Sequence, residues 1–266
     1  MDLIQALILG LVEGITEYLP VSSTGHLLVA QRLLGIEQSV ESNGYAIAIQ
    51  AGAIVAVLGL YRERVALMLL GLAGRDPAGL RLAFCVILAF LPAAIIAVLL
   101  GEQIEQHLFG VQPVILAWVI GGVAILALSR WINSRREGLP LTDLTWRSAL
   151  VIGLFQCLAM WPGTSRSLVT IIGGLAVGLS LSAAVEFSFL LGVLTLGAAT
   201  VYTALKQGDG MIAAYGWPAL LAGFVAACVS AALAVKWMVA YLNRHGLVVF
   251  AWWRFAAAGL AALLLL

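Results

Sequence analysis

The sequence predicts an all-α polytopic membrane protein with an inverted repeat, each half one re-entrant helical hairpin plus three transmembrane helices. Three observations carry the prediction. Hydrophobic residues make up 63% of the chain and charged residues 10%, where a soluble domain carries about 25% charged. So few charges leave a water-facing surface uncovered, whereas a lipid-facing surface needs none. Apolar stretches follow one another along the chain, and the first two of each half are short and meet at an elbow rich in Pro, Ser, Thr and Gly. Finally, Lys and Arg gather in alternate connections, the pattern of a cytoplasmic face.

Taken in order, the first hairpin covers about 3–36, with spans at about 45–61, 82–100 and 113–130. The second hairpin covers about 148–179, with spans at about 183–202, 217–237 and 248–266. The longer stretches approach the ~20 residues a helix needs to cross hydrocarbon. The hairpin arms are too short for that, so each pair enters and leaves on one face. Non-helical backbone at such depth is tolerated only when buried in protein or lining a wet cavity. The result is a single integral membrane domain with a first repeat at 1–134, a basic cytoplasmic connector at 135–147 and a second repeat at 148–266.

Internal similarity supports the repeat. Ala6 to Glu13 (ALILGLVE) lines up with Ala149 to Gln156 (ALVIGLFQ), and after one gap Pro20 to Thr24 meets Pro162 to Arg166. Pro92 and Pro218 correspond at the heads of later spans. An odd number of crossings per half inverts the second repeat. The segments 62–81 and 130–147 hold four arginines each and 236–245 holds Lys236 and Arg244. All three fall on one side, with both termini on the other. The base-poor connections, 101–112 and 206–215, face outward, and the two hairpin tips meet near the midplane from opposite sides.

Other classes are excluded or disfavoured. The net charge of +1 gives no electrostatic footprint for nucleic acid. Cys85, Cys157 and Cys228 sit in apolar runs without CxxC spacing, so neither a disulfide framework nor a zinc site is indicated. The first apolar stretch has no basic flank or small-residue cleavage site, which argues against a cleaved signal peptide.

The chemistry concentrates in the elbows. In the first, Glu13 and Glu17 are four apart and share a helix face. Carboxylates at membrane depth need a partner or a function. Either they bind a divalent cation, or one takes up a proton as acid or base. The plainer reading is a solvated pair near the interface. Ser22, Ser23 and Thr24 open the next helix, where free N–H groups suit a phosphate, or where the hydroxyls simply cap. His26 is a candidate proton relay or a structural hydrogen-bonder. In the second elbow Arg166 lies among Thr164, Ser165, Ser167 and Thr170. Guanidinium matches phosphate oxygens through paired hydrogen bonds; an internal ion pair with Glu13, Glu17 or Glu186 is the plainer alternative. Gln50, Gln156 and Glu186 are further polar residues inside spans, and Gln156 occupies the repeat position of Glu13.

These motifs resemble those of the BacA-type undecaprenyl pyrophosphate phosphatases. Glu13 and Glu17 followed by Pro20 to His26 match the form (E/Q)xxxE then PVSSTGH, and Pro162 to Thr170 match PGxSRSxxT, in the same order and with no departure at a defined position. The resemblance implies hydrolysis of undecaprenyl pyrophosphate to undecaprenyl phosphate, which recycles the carrier lipid for peptidoglycan synthesis. It also implies a bacterial inner-membrane location, bacitracin resistance, a divalent cation (Mg²⁺ or Ca²⁺) and a site open to the periplasm. On this expectation Arg166 grips the pyrophosphate with hydroxyls of Ser22, Thr24, Thr164, Ser165, Ser167 and Thr170. Ser23 attacks, Glu17 takes its proton, and Glu13 and Glu17 hold the metal; His26 is the alternative nucleophile or proton donor. The expected partners are the polyprenyl pyrophosphate lipid and membrane lipid, with a homodimer left open. A transporter or flippase for a polyprenyl phosphate lipid is the competing function, and an unrelated membrane phosphatase of the phosphatidic acid phosphatase type ranks behind it.

Overall fold

The computed structural model describes residues 1–134 and 137–266; Arg135 and Arg136, two arginines of the expected basic connector, lie outside the described residues. The regular elements among the described residues are helices, joined by one isolated parallel bridge between Leu139 and Leu179. In chain order they are α1 (Leu3–Thr16), α2 (Ser23–Leu33), α3 (Val40–Leu60), α4 (Arg62–Leu72), α5 (Pro77–Leu108), α6 (Val111–Ser134), α7 (Trp146–Gln156), α8 (Arg166–Ala176), α9 (Leu181–His245) and α10 (Val248–Leu265). Six of these ten start at a side chain that accepts a first-turn N–H: Asp2, Ser39, Asp76, Thr145, Ser165 and Ser180 do so for α1, α3, α5, α7, α8 and α9.

The chain is a multi-pass membrane protein: α3, α5, α6, α9 and α10 are long and apolar enough to cross a bilayer. The helical run α9 is broken at Gly216 (φ 72°, ψ 160°), two residues before Pro218. Only glycine takes such a backbone without strain, so the run forms two segments, 181–215 and 217–245. By contrast, α1 and α2 have 14 and 11 residues, about 21 and 17 Å at 1.5 Å per residue, well short of a ~30 Å hydrocarbon core.

Connections read as loops are largely helical: 101–108 belong to α5 and 238–245 to the end of α9. Residues 62–72 form α4, and 203–215 continue α9 as far as Gly216. Charged residues lower hydropathy without ending helical backbone; the breaks fall at Tyr61 (φ −108°, ψ 26°), between α3 and α4, and at the positive-φ residues Gly74 and Gly216. The repeat pairing also shifts. A constant offset of 143 positions carries both ends of α2 onto those of α8, Ser22 onto Ser165 and Gly35 onto Gly178, all four of these flanking residues having positive φ. The elbows therefore correspond without a gap, and Ser22 matches Ser165 rather than Thr164. Pro92 lies inside α5 and not at a span head.

Small residues set the closest helix contacts. A Cβ on Gly14 of α1 would meet the carbonyl of Ala227 and lie 2.8 Å from Ala231 N, and one on Gly10 would lie 2.8 Å from the Ala226 side chain. Lipid supplies no hydrophobic drive between helices, so backbones approach through such positions to gain packing. Likewise α7 packs on α5, where Gly153 faces the Ala89 carbonyl at 2.5 Å from its ideal Cβ. At one end of the bundle Arg64 pairs with Glu186 at 2.6 Å, Arg81 donates to Leu144 O at 2.8 Å, and Gly246 abuts Asn133. These contacts gather all three basic segments at that end.

Candidate active site

Each elbow is a short helix, a few residues of irregular backbone and a second short helix. In the first, Glu17 caps the end of α1 and α2 begins at Ser23. Ser22 between them has φ 74° and ψ 101°, and Ser165 before α8 has φ 78° and ψ 111°. Non-glycine residues rarely take this backbone, at a cost of about 1–3 kcal/mol, and it persists where the surroundings enforce it. Indoles tie both elbows to α6: Trp118 Nε1 donates to Val21 O at 2.9 Å, and Trp161 Nε1 to Pro113 O at 3.1 Å. The elbows touch directly, Ser167 Oγ donating to Leu19 O at 2.9 Å.

At that junction three groups converge. Ser23 Oγ donates to Glu17 Oε2. The other oxygen, Oε1, accepts from Arg166 Nη2 at 2.8 Å, with the two side chains only 10% and 5% exposed. So little water leaves the pair barely screened. Arg166 Nη1 donates to Ser188 O at 3.0 Å, and the guanidinium stands over the Tyr18 ring at 5.4 Å. Ser22 caps no first-turn N–H of α2 with its side chain. The N–H groups of Ser23, Thr24 and Gly25 precede the first intrahelical bond, His26 N–H to Ser22 O at 3.3 Å. They point a positive dipole end at the space before Ser23.

That space is a cavity of about 190 Å³ lined by Glu17, Ser22, Ser23, Thr24, Ser165 and Arg166, with the amides of Gln50 and Gln156 on its far wall. It adjoins a recess of about 400 Å³ through Thr24, Gln50 and Met160, walled by Leu27, Leu28, Ile47, Ile104 and Phe109. A polar pocket beside an apolar recess suits a charged head group on an isoprenoid chain.

The other residues singled out from sequence are placed differently. Glu13 is fully buried behind Glu17, and neither of its carboxylate oxygens has a hydrogen-bond partner. His26 does not line the cavity: Nδ1 bonds Ser22 O at 2.7 Å and Nε2 accepts from Trp253 Nε1 at 2.9 Å. Thr170 Oγ1 donates to Arg166 O at 2.8 Å and lies 2.7 Å from Ser188 Oγ, while Ser167 holds Leu19. Thr164 lies outside the lining and offers its carbonyl to Arg254 at 3.2 Å. Glu186 takes Arg64 and not Arg166 as its partner.

Sequence reasoning passed over Ser188, Thr195 and Arg254. The hydroxyls left little signal, because Ser and Thr in a helix satisfy themselves on a preceding carbonyl, as Thr195 does on Leu191 O at 2.9 Å. Arg254 did leave one, a lone cation in the last apolar run.

A cation fits behind this cavity. Two orphaned oxygens on Glu13 beside the Glu17 carboxylate are hard acceptors with no donor to satisfy them. Among the described residues no group of three or more His, Cys, Asp or Glu converges. Two carboxylates leave the remaining coordination to hydroxyls, water and phosphate oxygens, the usual arrangement for Mg²⁺ beside a phosphate.

Fold and site together define a multi-pass membrane protein whose buried polar centre sets a carboxylate-bonded serine beside an arginine. The chain belongs to the BacA family: residues 6–260 match the family described as Bacitracin resistance protein BacA. It is 44% identical over 260 residues to the undecaprenyl-diphosphatase of Sorangium cellulosum, covering 96% of this chain and 84% of that one. It is 45% identical over 264 residues to undecaprenyl-diphosphatase 2 of Rhodospirillum rubrum, covering 96% and 92%. The undecaprenyl-diphosphatase of Methylococcus capsulatus is 46% identical over 259 residues, with the same two coverages, 96% and 92%.

Proposed function

We propose that the protein hydrolyses undecaprenyl pyrophosphate to undecaprenyl phosphate and inorganic phosphate, recycling the carrier lipid for peptidoglycan synthesis. The observation that carries this reading is the chain Ser23 Oγ to Glu17 to Arg166, one carboxylate joining a hydroxyl to a guanidinium at a cavity wall. A nucleophile bonded to its base, with the base held by a third group, is the arrangement of covalent catalysis.

The terminal phosphoryl group sits at the α2 N–H groups, the hydroxyls of Ser22, Thr24 and Ser165, and Arg166. Phosphate oxygens there compete with Glu17 for Nη2, which frees the carboxylate to act on Ser23, already bonded to its Oε2. Glu17 takes the Oγ proton, Oγ bonds to the terminal phosphorus, and the bond from that phosphorus to the bridging oxygen breaks; the departing oxygen takes the proton from Glu17 and undecaprenyl phosphate is released. Water then attacks the phosphoserine with Glu17 again as base, Ser23 recovers its proton and inorganic phosphate leaves. Arg166 stabilises charge on the transferring group, where most catalysis of phosphoryl transfer resides. Glu13 and Glu17 would hold a divalent cation, Mg²⁺ or Ca²⁺, which would supply further neutralisation of phosphate charge. With both ring nitrogens engaged, His26 braces the first elbow, which favours Ser23 as the nucleophile. Ser167 and Thr170 brace the second.

The repeats are inverted, 1–134 against 148–266, and α1–α2 and α7–α8 are re-entrant hairpins. Their lengths, the constant offset and the clustering of basic segments at one end support this. That end faces the cytoplasm of a bacterial inner membrane, and the cavity opens to the periplasm beside the base-poor connection around Glu105 and Phe109.

The test is phosphate release from undecaprenyl pyrophosphate by the purified protein in detergent micelles, where transport has no meaning. The parent and His26→Ala are expected to release phosphate and Ser23→Ala to release none. A parent protein that binds the lipid yet releases nothing would leave the transporter reading standing.

A further inference from the structure

Non-helical backbone inside a bilayer exposes carbonyls that neither a helix nor water satisfies, and each costs several kcal/mol unless paired. The two elbows carry such carbonyls at Pro20, Gly163 and Thr164. A single side chain from the opposite end of the sequence meets all three. Arg254 of α10 is completely buried. Its Nη1 donates to Pro20 O at 3.2 Å, and its Nη2 to Gly163 O at 2.8 Å and Thr164 O at 3.2 Å. The same fork reaches α6, Nη2 to Ala117 O at 2.9 Å and Nε to Trp118 O at 3.2 Å. All these acceptors are backbone carbonyls; the ion pairs among the described residues belong to other arginines.

We infer that Arg254 is a positioning residue for the hydrolysis: it clamps both elbows to α6 and so fixes the separation between Ser23 and Arg166. The inference rests on the proposed hydrolase reading for its kinetic consequence but not for its geometry. Pro20 lies three residues before the nucleophile and Thr164 two before Arg166. Any slack in the clamp is passed directly to the pair that must grip and attack one phosphoryl group. Trp118, whose backbone carbonyl receives part of the fork, also donates from its indole Nε1 to Val21 O at 2.9 Å, so the first elbow is held on two consecutive carbonyls. The α6 face is cut to match: a Cβ on Gly121 would lie 2.7 Å from Arg254 Nε and closer still to Nη2. Lysine cannot replace this fork. It offers three donors from one point, whereas guanidinium offers five in a fixed plane wide enough to bridge two chain segments.

Two variants test this without touching the cavity: Arg254→Lys, and Gly121→Ala, which displaces the guanidinium while keeping its charge. Turnover is normalised to folded protein by size-exclusion and heat-stability profiles. Each variant is expected to lower kcat by about 10²-fold, the cost of a misplacement of about 1 Å, with KM within twofold of the parent. The double variant is expected to be no worse than the lower of the two singles. Hydrogen exchange supplies a readout independent of activity: both elbows, at 20–25 and 163–168, should exchange faster together in Arg254→Lys. If kcat per folded molecule stays within twofold in Gly121→Ala, or only α10 loosens, the clamp is refuted. Should Arg254→Lys fail to fold, Gly121→Ala alone decides. A parent protein without phosphatase activity would sink the hydrolase reading and leave the exchange experiment to judge the clamp.

Discussion

Gly192 offers a way to move Arg166 by a single methyl group. It sits in α9 behind the guanidinium, and a Cβ built there lies 2.6 Å from Arg166 Cζ and 2.7 Å from Nη2. Carbon atoms in ordinary contact stand about 3.5 Å or more apart, so Gly192→Ala drives the guanidinium about 1 Å from its place. The clash is with the free end of a long side chain and not with backbone, so the fold yields at little cost. A displacement of that size costs about 10²-fold in rate when the moved group stabilises the transition state, equivalent to about 2.7 kcal/mol of barrier. The assay is phosphate release from undecaprenyl pyrophosphate in micelles, with kcat and KM determined separately. Gly197→Ala, in the same helix but with nothing within 4 Å of its Cβ, is the control and should behave as the parent. A Gly192→Ala enzyme with the turnover of the control would refute the placement of Arg166 at the transferring phosphoryl group.

Further consequences are equally accessible. Glu17→Gln, which removes the base but keeps the shape, should lower kcat by about 10²–10⁴, measured in the same assay. Because the Glu17–Arg166 pair is only 5% and 10% exposed, Glu17→Ala or Arg166→Ala alone should destabilise by about 3–5 kcal/mol. The double variant should lose less than the sum in detergent unfolding. Gly14→Ala pushes backbone against backbone at Ala227 and Ala231 and should cost about 1–3 kcal/mol in detergent unfolding. Chelation should abolish phosphate release, with Mg²⁺ or Ca²⁺ restoring it; Glu13→Gln should raise the metal concentration needed, and chelator-resistant activity would exclude the carboxylate pair as a metal site.

That the chain is an all-helical, multi-pass membrane protein was written in the sequence, because a bilayer accepts only surfaces with few charges and backbones that satisfy themselves. The elbows were visible for the same reason: Pro, Ser and Thr beside Glu13, Glu17 and Arg166 in an apolar chain need a buried, polar destination. What the sequence did not contain was where each polar group points. Glu186 and Glu17 were both candidate partners for Arg166, and only packing decided that Arg64 takes the first. Ser167 and Thr170 differ little from Ser165 in a string of letters, yet helical geometry turns them onto Leu19 O and Arg166 O and leaves Ser165 at the cavity. Helix limits depended on dihedrals more than hydropathy, which is why α4 and residues 203–215 were missed and why the repeat register emerged at Ser22 and Ser165.

Composition and motif thus determined by themselves that this is a membrane-embedded chain with carboxylates and a serine on one elbow and an arginine on the other. Tertiary structure alone decided that Glu17 touches both Ser23 and Arg166, and that Arg254, distant in sequence from either elbow, holds the two together. A polar residue in an apolar run announces that it needs a partner, but which partner is a matter of distance, and distance exists only once the helices have packed.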